Sequence, residues 1–465
     1  MSAAVDAVAG TEIAPSRGRW IDDWRPEDPA FWAGTGAGVA RRNLIFSIFA
    51  EHLGFSVWTI WSVFVLFMGP AYGVDPAGKF LLTALPAALG SIVRLPYTFA
   101  VARFGGRNWT VFSALLLLVP CLAAAVYLRP GTSYATLLVV ACIAGFGGGN
   151  FASSMANINT FYPDRLKGWA LGINAGGGNL GVAVVQLVGL AVLATAGATH
   201  PRLMLAVYVP LVVVAALCAY LFMDNLVQVR GDKRAMRDVL RDPHTTVMSI
   251  LYIGTFGSFI GYSFAFGQVL QVQFRSQFAT PINATYLTFL GPLVGSLIRP
   301  VGGWLADRVS GAKVTLWTFA LMAAAAGLVL YASMAHSLPL FIAGFIALFF
   351  FAGVGNGSTY KMIPRIFWAK ARRRIEAGED FSYAERDARR LSGALIGIAG
   401  AVGAFGGVLI NVAFRQSFLA VKSGDAAYVS FIAFYVLCFV LTWAVYLRPR
   451  GGEGVLTGAR GGRYR

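Results

Sequence analysis

Charge is scarce in this chain. Of 465 residues only 13% are Asp, Glu, Lys or Arg, against roughly 25% in soluble globular proteins. Acidic residues are the rarest class, 21 against 38 Lys plus Arg. Cysteine is equally sparse: Cys121, Cys142, Cys218 and Cys438 all fall in apolar surroundings. Their spacing fits neither a metal set nor a disulfide framework, so they read as small core residues. Residues 1–43 are polar and hold no apolar core ending in a small-residue cleavage site, so no removable signal peptide is expected. No glycine run ends in the GKS/T that a phosphate-cradling loop needs. No nucleophile–base pair or metal cluster lies in the apolar stretches, so neither an enzyme nor a bound cofactor is expected.

What the chain has instead is apolar length. Hydrophobic residues make up 57% and mean hydropathy is +0.65, which sets the class as an all-α polytopic membrane protein. A spanning helix needs about 20 apolar residues. Twelve such stretches lie near 44–68, 79–101, 108–128, 134–161, 169–197, 203–223, 246–270, 281–305, 314–335, 338–364, 391–415 and 426–447. The polar break at 224–245 divides them six and six. The expected organisation is a tail (1–43), a six-helix bundle (44–223), a linker (224–245), a second bundle (246–447) and a second tail (448–465). Residues 20–32 (WIDDWRPEDPAFW) read as an ordered aromatic segment of the first tail.

A net charge of +17 would suggest nucleic acid in a soluble protein. Here the bases mark orientation. Arg41, Arg42, Arg103, Arg107, Arg165, Lys167, the run 230–241, Arg308, Lys313, the clusters 370–374 and 386–390, Arg448 and Arg450 all fall on one side. The other side holds only Lys79, Arg129, Arg202, Arg275, Arg415 and Lys422. The positive-inside rule then puts both termini in the cytoplasm of a cell bounded by this inner membrane.

Two arginines break the apolar pattern. Arg94 ends Gly90-Ser91-Ile92-Val93-Arg94 and Arg299 ends Gly295-Ser296-Leu297-Ile298-Arg299. An arginine at the centre of a spanning helix costs about 2.5–3.5 kcal/mol on insertion scales. Bearing that cost twice, in matching contexts, points to a small anion held between two guanidinium forks. Further landmarks keep the register: Thr110 and Thr315 each follow their arginine by 16 residues, and Asn150 and Asn356 follow by 56 and 57. A parallel repeat of two six-helix halves is the major facilitator architecture, with the substrate site at the midplane between pseudo-symmetric halves. That frame sets Arg94 and Arg299 facing each other.

The glycine runs at 145–150, 172–181, 353–357 and 397–407 read mostly as close helix packing, with Gly148 counted among the few whose backbone faces the ligand. Among their asparagines, Asn179 is the candidate ligand contact. Glu51 is the one carboxylate well inside a stretch, next to His52. Two roles stay open for it, a structural partner to a base such as Lys361 and a proton-coupling group; His52 suits coupling by its ordinary pKa near 6.5. Asp307 and Arg308, in the loop after the eighth stretch, read as a gate that locks helix ends.

The segments WRPEDPAFW, VRLPYTF, FGGRNWTVFS, GGGNFASSMANI, GINAGGGNLGV, LYIGTFGSFIGYS and GNGSTYKMI together resemble the NarK-type nitrate/nitrite porters of the major facilitator superfamily. The resemblance covers nearly the whole chain. It implies that Arg94 and Arg299 grip the anion, that Phe55, Phe151, Tyr252 and Phe256 sandwich it, and that 168–180 and 393–406 are the two nitrate signatures, with Asn179 as polar contact. It implies nitrate/nitrite antiport, with proton-coupled nitrate symport as the alternative. The only partners implied are the two anions and the lipid bilayer, with no nucleic acid and no obligatory protein. Glu51 departs from the family pattern: it lies one turn before Phe55 and so shares its helical face.

Overall fold

The structure, a computed structural model, describes residues 18–228 and 231–448. The rest of both tails and two linker positions, including Arg230 and Arg450, lie outside the described residues. Among the described residues, eleven continuous helical stretches are long and apolar enough to cross a membrane, and they carry twelve packing helices. We number these α1 (Pro29–Phe67), α2 (Pro76–Phe104), α3 (Gly106–Tyr127), α4 (Tyr134–Phe161), α5 (Asp164–Ala196), α6 (Leu203–Phe222) and α7 (Pro243–Gln273). There follow α8 (Leu290–Leu305), α9 (Gly311–Met334), α10 (Leu338–Glu376), α11 (Phe381–Val421) and α12 (Asp425–Leu447). The difference between eleven and twelve is one join: α8 runs into α9 through a π turn, Ala306–Ser310, and the chain changes direction at Ser310, whose backbone is extended (φ 160°, ψ 132°).

Helix α1 starts fifteen residues before the apolar stretch does. Asp28 caps it, its carboxylate accepting from the amides of Ala30 (2.9 Å) and Phe31 (3.3 Å), with Pro29 in the first turn; both are standard start signals. At 1.5 Å per residue its 39 residues reach about 58 Å, well beyond a 30 Å hydrocarbon layer. The first turns therefore stand clear of the membrane and carry Arg41, Arg42 and Asn43, which a hydropathy window passes over.

Those turns are tied down by Asp224. Its carboxylate, 1% exposed, accepts from Arg19 (3.0 and 2.8 Å), Arg42 (2.7 Å) and Asn43 (2.8 Å), and its amide donates to the Asn43 side chain at 2.8 Å. Next to it Trp20–Ile21 and Asn225–Leu226 form a two-residue parallel β pair. Trp24, Phe31 and Trp32 complete the knot by packing on Leu44, Ile158, Phe161 and Tyr162. The aromatic segment is thus folded onto the end of α1 and α4.

In the first half α1 packs on α4, α5 and α6, α2 on α4, and α3 on α6; in the second, α8 and α9 pack on α10, α9 on α12, and α7 on α11. The halves meet along α2 with α11 and α5 with α8. Small residues set the spacing: a Cβ on Gly145 would sit 2.8 Å from the Gly90 nitrogen, and one on Gly295 3.0 Å from the Phe349 carbonyl. On the face away from the termini the halves are sealed by neutral contacts. Gln268 donates to the Pro76 carbonyl (2.6 Å), Gln271 to that of Leu66 (2.9 Å) and Thr83 to Asn411 (2.9 Å), while Phe80 stacks on Phe414 and Phe418 at 5.6 and 5.3 Å.

Removing the Asp224 carboxylate leaves two arginines without their buried acceptor. Asp224→Ala should cost about 3 kcal/mol and expose 18–36 to protease. Thermal unfolding in detergent checks this, and an unchanged Tm with an uncut N-terminal segment would refute it.

Candidate functional site

Arg94 and Arg299 come from opposite halves and point at one another's surroundings. Arg94 is 1% and Arg299 6% exposed. On Arg94, Nε donates to the Gly148 carbonyl of α4 (3.1 Å) and Nη1 to the Gly400 carbonyl of α11 (3.0 Å). On Arg299, Nη2 donates to the Tyr252 hydroxyl at 3.4 Å. One nitrogen of each fork, Arg94 Nη2 and Arg299 Nη1, is buried with no hydrogen-bond partner in the protein. Buried donors are almost always satisfied, so the pair has two donors to spare for a ligand.

Aromatic faces surround the forks. The Arg94 guanidinium carbon lies 4.8 Å from the Phe151 ring centre, 4.9 Å from Phe256 and 5.3 Å from Trp58. That of Arg299 lies 5.9 Å from both Phe151 and Tyr360. Sharing Phe151, the two carbons are at most about 11 Å apart. Phe151 and Phe256 stack at 6.2 Å, Phe256 and Tyr252 at 5.4 Å, and Phe55 meets Phe151 edge-on at 6.0 Å. Tyr252 caps a π turn, Ile253–Gly257, that carries Phe256 on α7, a local widening that recurs at functional sites.

Glycine makes the approach possible. A Cβ on Gly148 would come within 2.8 Å of both the Gly90 Cα and the Trp58 ring. Trp58 is itself fixed by its indole N–H on the Pro86 carbonyl (2.8 Å). Asn179 is fully buried, with neither amide atom partnered in the protein. It shares a helical face with Ala175 and Val182, both packed in the cluster that holds Phe55, Phe151 and Phe256, and the same orphaned state is found for Asn150 and Asn356.

The sequence and the fold have known counterparts. The profile of the Major Facilitator Superfamily matches residues 44–374. The nitrate/nitrite transporter NarU of Salmonella typhimurium is 39% identical, covering 92% of this chain and 96% of its own. NarU of Escherichia coli is 38% identical with the same coverage. The probable nitrate/nitrite antiporter NarK2 of Thermus thermophilus is 34% identical over 95% of this chain and 99% of its own. The chain belongs to the Major Facilitator Superfamily, and within it to the NarK-type family. A crystal structure of a D-xylose–proton symporter superposes with TM-score 0.65 over 87% of this chain and 97% of that one, at 14% identity, which is a likeness of fold.

The remaining sequence candidates do not touch the arginines. Glu51 is fully buried on α1, bound by Ser154 and by Asn174 (2.7 Å). Lys361 does not pair with it: its Nζ is bound to Asp307 at 2.8 Å, which also takes Arg365 at 3.2 Å. Asp307 therefore locks the α8–α9 turn to α10 inside one half, and Arg308 lies over Trp304 at 4.2 Å; neither bridges the halves. His52 turns away from the arginines, its Nδ1 at 3.0 Å from the Gly177 carbonyl. It lines an apolar groove of about 440 Å³ with Ile45, Phe49, Leu180 and Tyr208. The cross-half ion pair is instead Arg389 of α11 with Asp164 of α5. Beside it Arg390 binds Asp232 (2.5 Å) and Asp238 (2.6 Å) at the linker helix Lys233–Leu240. Tyr360 and Trp58 were missed as site residues; Tyr360 lies four positions after Asn356, on the same helical face.

Gly148→Ala tests the close approach. Overpacking of this kind typically costs about 1–3 kcal/mol, and here it displaces the carbonyl that holds Arg94. We expect a lower Tm and at least tenfold slower anion uptake, about the effect of 1.4 kcal/mol at the site. Wild-type Tm and uptake together would show that the approach is not tight.

Proposed function

We propose that this chain is a nitrate/nitrite porter of the inner membrane, with both termini cytoplasmic, that works by rocker-switch alternating access and exchanges entering nitrate for leaving nitrite. The observation that carries this reading is the pair of buried arginines from opposite halves, each with one nitrogen unpartnered, between aromatic faces. Nitrate is planar, monovalent and weakly hydrated. Each guanidinium offers it one unpartnered in-plane nitrogen, so the two forks together supply a pair of charged donors, and ring faces accept its flat surface without demanding hydrogen bonds. The names of the NarU and NarK2 relatives agree.

Magnitudes indicate why the empty carrier resists movement. Two unit charges within about 11 Å at an effective dielectric of 20 repel by about 1.5 kcal/mol or more. A monovalent anion midway gains about 6 kcal/mol from the two attractions before desolvation. The ligand term is the larger, so a loaded site closes while one with no negative charge near the arginines does not, which couples one anion's entry to the other's exit.

The test is nitrate uptake by the purified protein in nitrite-loaded liposomes. Uptake should saturate and should not be reduced by phosphate. Arg94→Lys and Arg299→Lys should each lower it by a factor of about 100 or more, roughly 2.7 kcal/mol, with a near wild-type Tm. A lysine has one nitrogen and cannot replace Nε and Nη1 on two carbonyls while presenting Nη2 to the ligand. Normal uptake in either variant refutes the two-arginine site. Competition by phosphate indicates a porter of another anion, non-saturating flux a channel, and nitrate binding without flux a sensor.

A further inference from the structure

We propose that Glu51 is the binding site for a proton, and that its ionised carboxylate stands in for the anion when the carrier is empty. The inference rests on the porter reading above and concerns how that site is driven.

Glu51 is a carboxyl group with no exposure to solvent and no ion pair. Its Oε2 accepts from the Ser154 hydroxyl of α4 and from Asn174 Nδ2 of α5 at 2.7 Å. Its Oε1 has no partner in the protein. Gly178 of α5 leaves room for that oxygen, since a Cβ there would overlap it. On its own helix His52 is turned to the Gly177 carbonyl, and on α10 Lys361 is held by Asp307. The charges within electrostatic reach of Glu51 are Arg94 of α2 and Arg299 of α8, followed by the phenol of Tyr360 on α10. The Tyr252 phenol of α7 stands against Arg299.

The surrounding hydroxyls can serve either form of the carboxyl. Ser154 and Ser47 lie 3.1 Å apart, and either can be the donor. With Glu51 ionised, Ser154 donates to it. With Glu51 protonated, Ser154 can turn its hydrogen to Ser47 and accept from the carboxyl instead.

Charge then links the two ligands. With Glu51 ionised the site carries one net positive charge, and with Glu51 protonated it carries two. An anion binds the second form more tightly, and by reciprocity the proton binds more tightly when the anion is present. Releasing both returns a carboxylate within electrostatic reach of the arginines, which offsets their repulsion and lets the empty carrier turn over. Anion exchange needs no such release. The same site therefore supports exchange at constant protonation and net uptake of one proton with one nitrate, an electroneutral step.

The experiment compares nitrate uptake into nitrite-loaded vesicles at equal pH with uptake into empty vesicles that are more acidic outside. The wild type should do both, acidify the lumen of the empty vesicles, and show no response of that second flux to an imposed membrane potential. In Glu51→Gln the ratio of proton-driven uptake to exchange should fall about tenfold or more, within the range of site-to-site couplings, with Glu51→Asp in between. Exchange by the wild type without any proton-driven uptake overturns the proposal, as does an unaltered ratio in Glu51→Gln. Absence of exchange in the wild type overturns the porter reading itself.

Discussion

Two like charges enclosed in an apolar interior are the constraint to which the rest of this structure answers. Neither Arg94 nor Arg299 has a carboxylate in contact, and each still reserves a donor. Such a pair is tolerable only where dipoles and ring quadrupoles offset part of the desolvation. The Gly148 and Gly400 carbonyls do so for Arg94, the Tyr252 hydroxyl does so for Arg299, and Phe151, Phe256 and Trp58 present their negative faces. These groups are neutral, so they stabilise the cations without cancelling them. A full counterion in contact would have abolished the attraction for a ligand.

The glycines follow from the same requirement. To bring a backbone carbonyl to Arg94, α4 must approach α2 closely, and Gly145, Gly148 and Gly90 remove the side chains that would prevent it. The second half repeats the device around Arg299, where Gly302 and Gly357 lie against the backbone of the neighbouring helix. Packing between membrane helices is favoured by small residues for reasons of contact alone. Here the same residues also set the depth at which the charged site is held.

Much of this was legible in the sequence because it was written twice. Matched spacing from Arg94 to Thr110 and Asn150, and from Arg299 to Thr315 and Asn356, gave the six-plus-six repeat without reference to contacts. Features that depend on polar residues outside the apolar stretches were not legible. The early start of α1 at Pro29 and the burial of Asp224, counted as the first linker residue, are of this kind: hydropathy cannot separate a solvated charge from one enclosed by Arg19, Arg42 and Asn43. Nor can a loop motif specify its partner. Asp307 had bases available on several helices, and the π turn at the end of α8 turns it to Lys361 and Arg365 within its own half, while Arg389 and Asp164 span the halves.

The closures at the two faces differ in chemistry, and the difference bears on how a small anion can move so large a body. The face away from the termini is held by neutral hydrogen bonds, those of Gln186, Gln268, Gln271 and Thr83 among them, and by a ring stack. The other is held by partly exposed ion pairs, Arg389 with Asp164 and Arg390 with the linker helix. Net hydrogen bonds contribute about 1 kcal/mol each, and exposed ion pairs 0–1 kcal/mol. Each closure is therefore worth a few kcal/mol, comparable with the other and with the gain from one anion between two arginines. With the gates balanced in this way, a change in the charge state of the central site is large enough to tip the balance between them. Arg94 is the residue through which that state is felt in both halves, because its fork is bonded to α4 on one side and to Gly400 of α11 on the other.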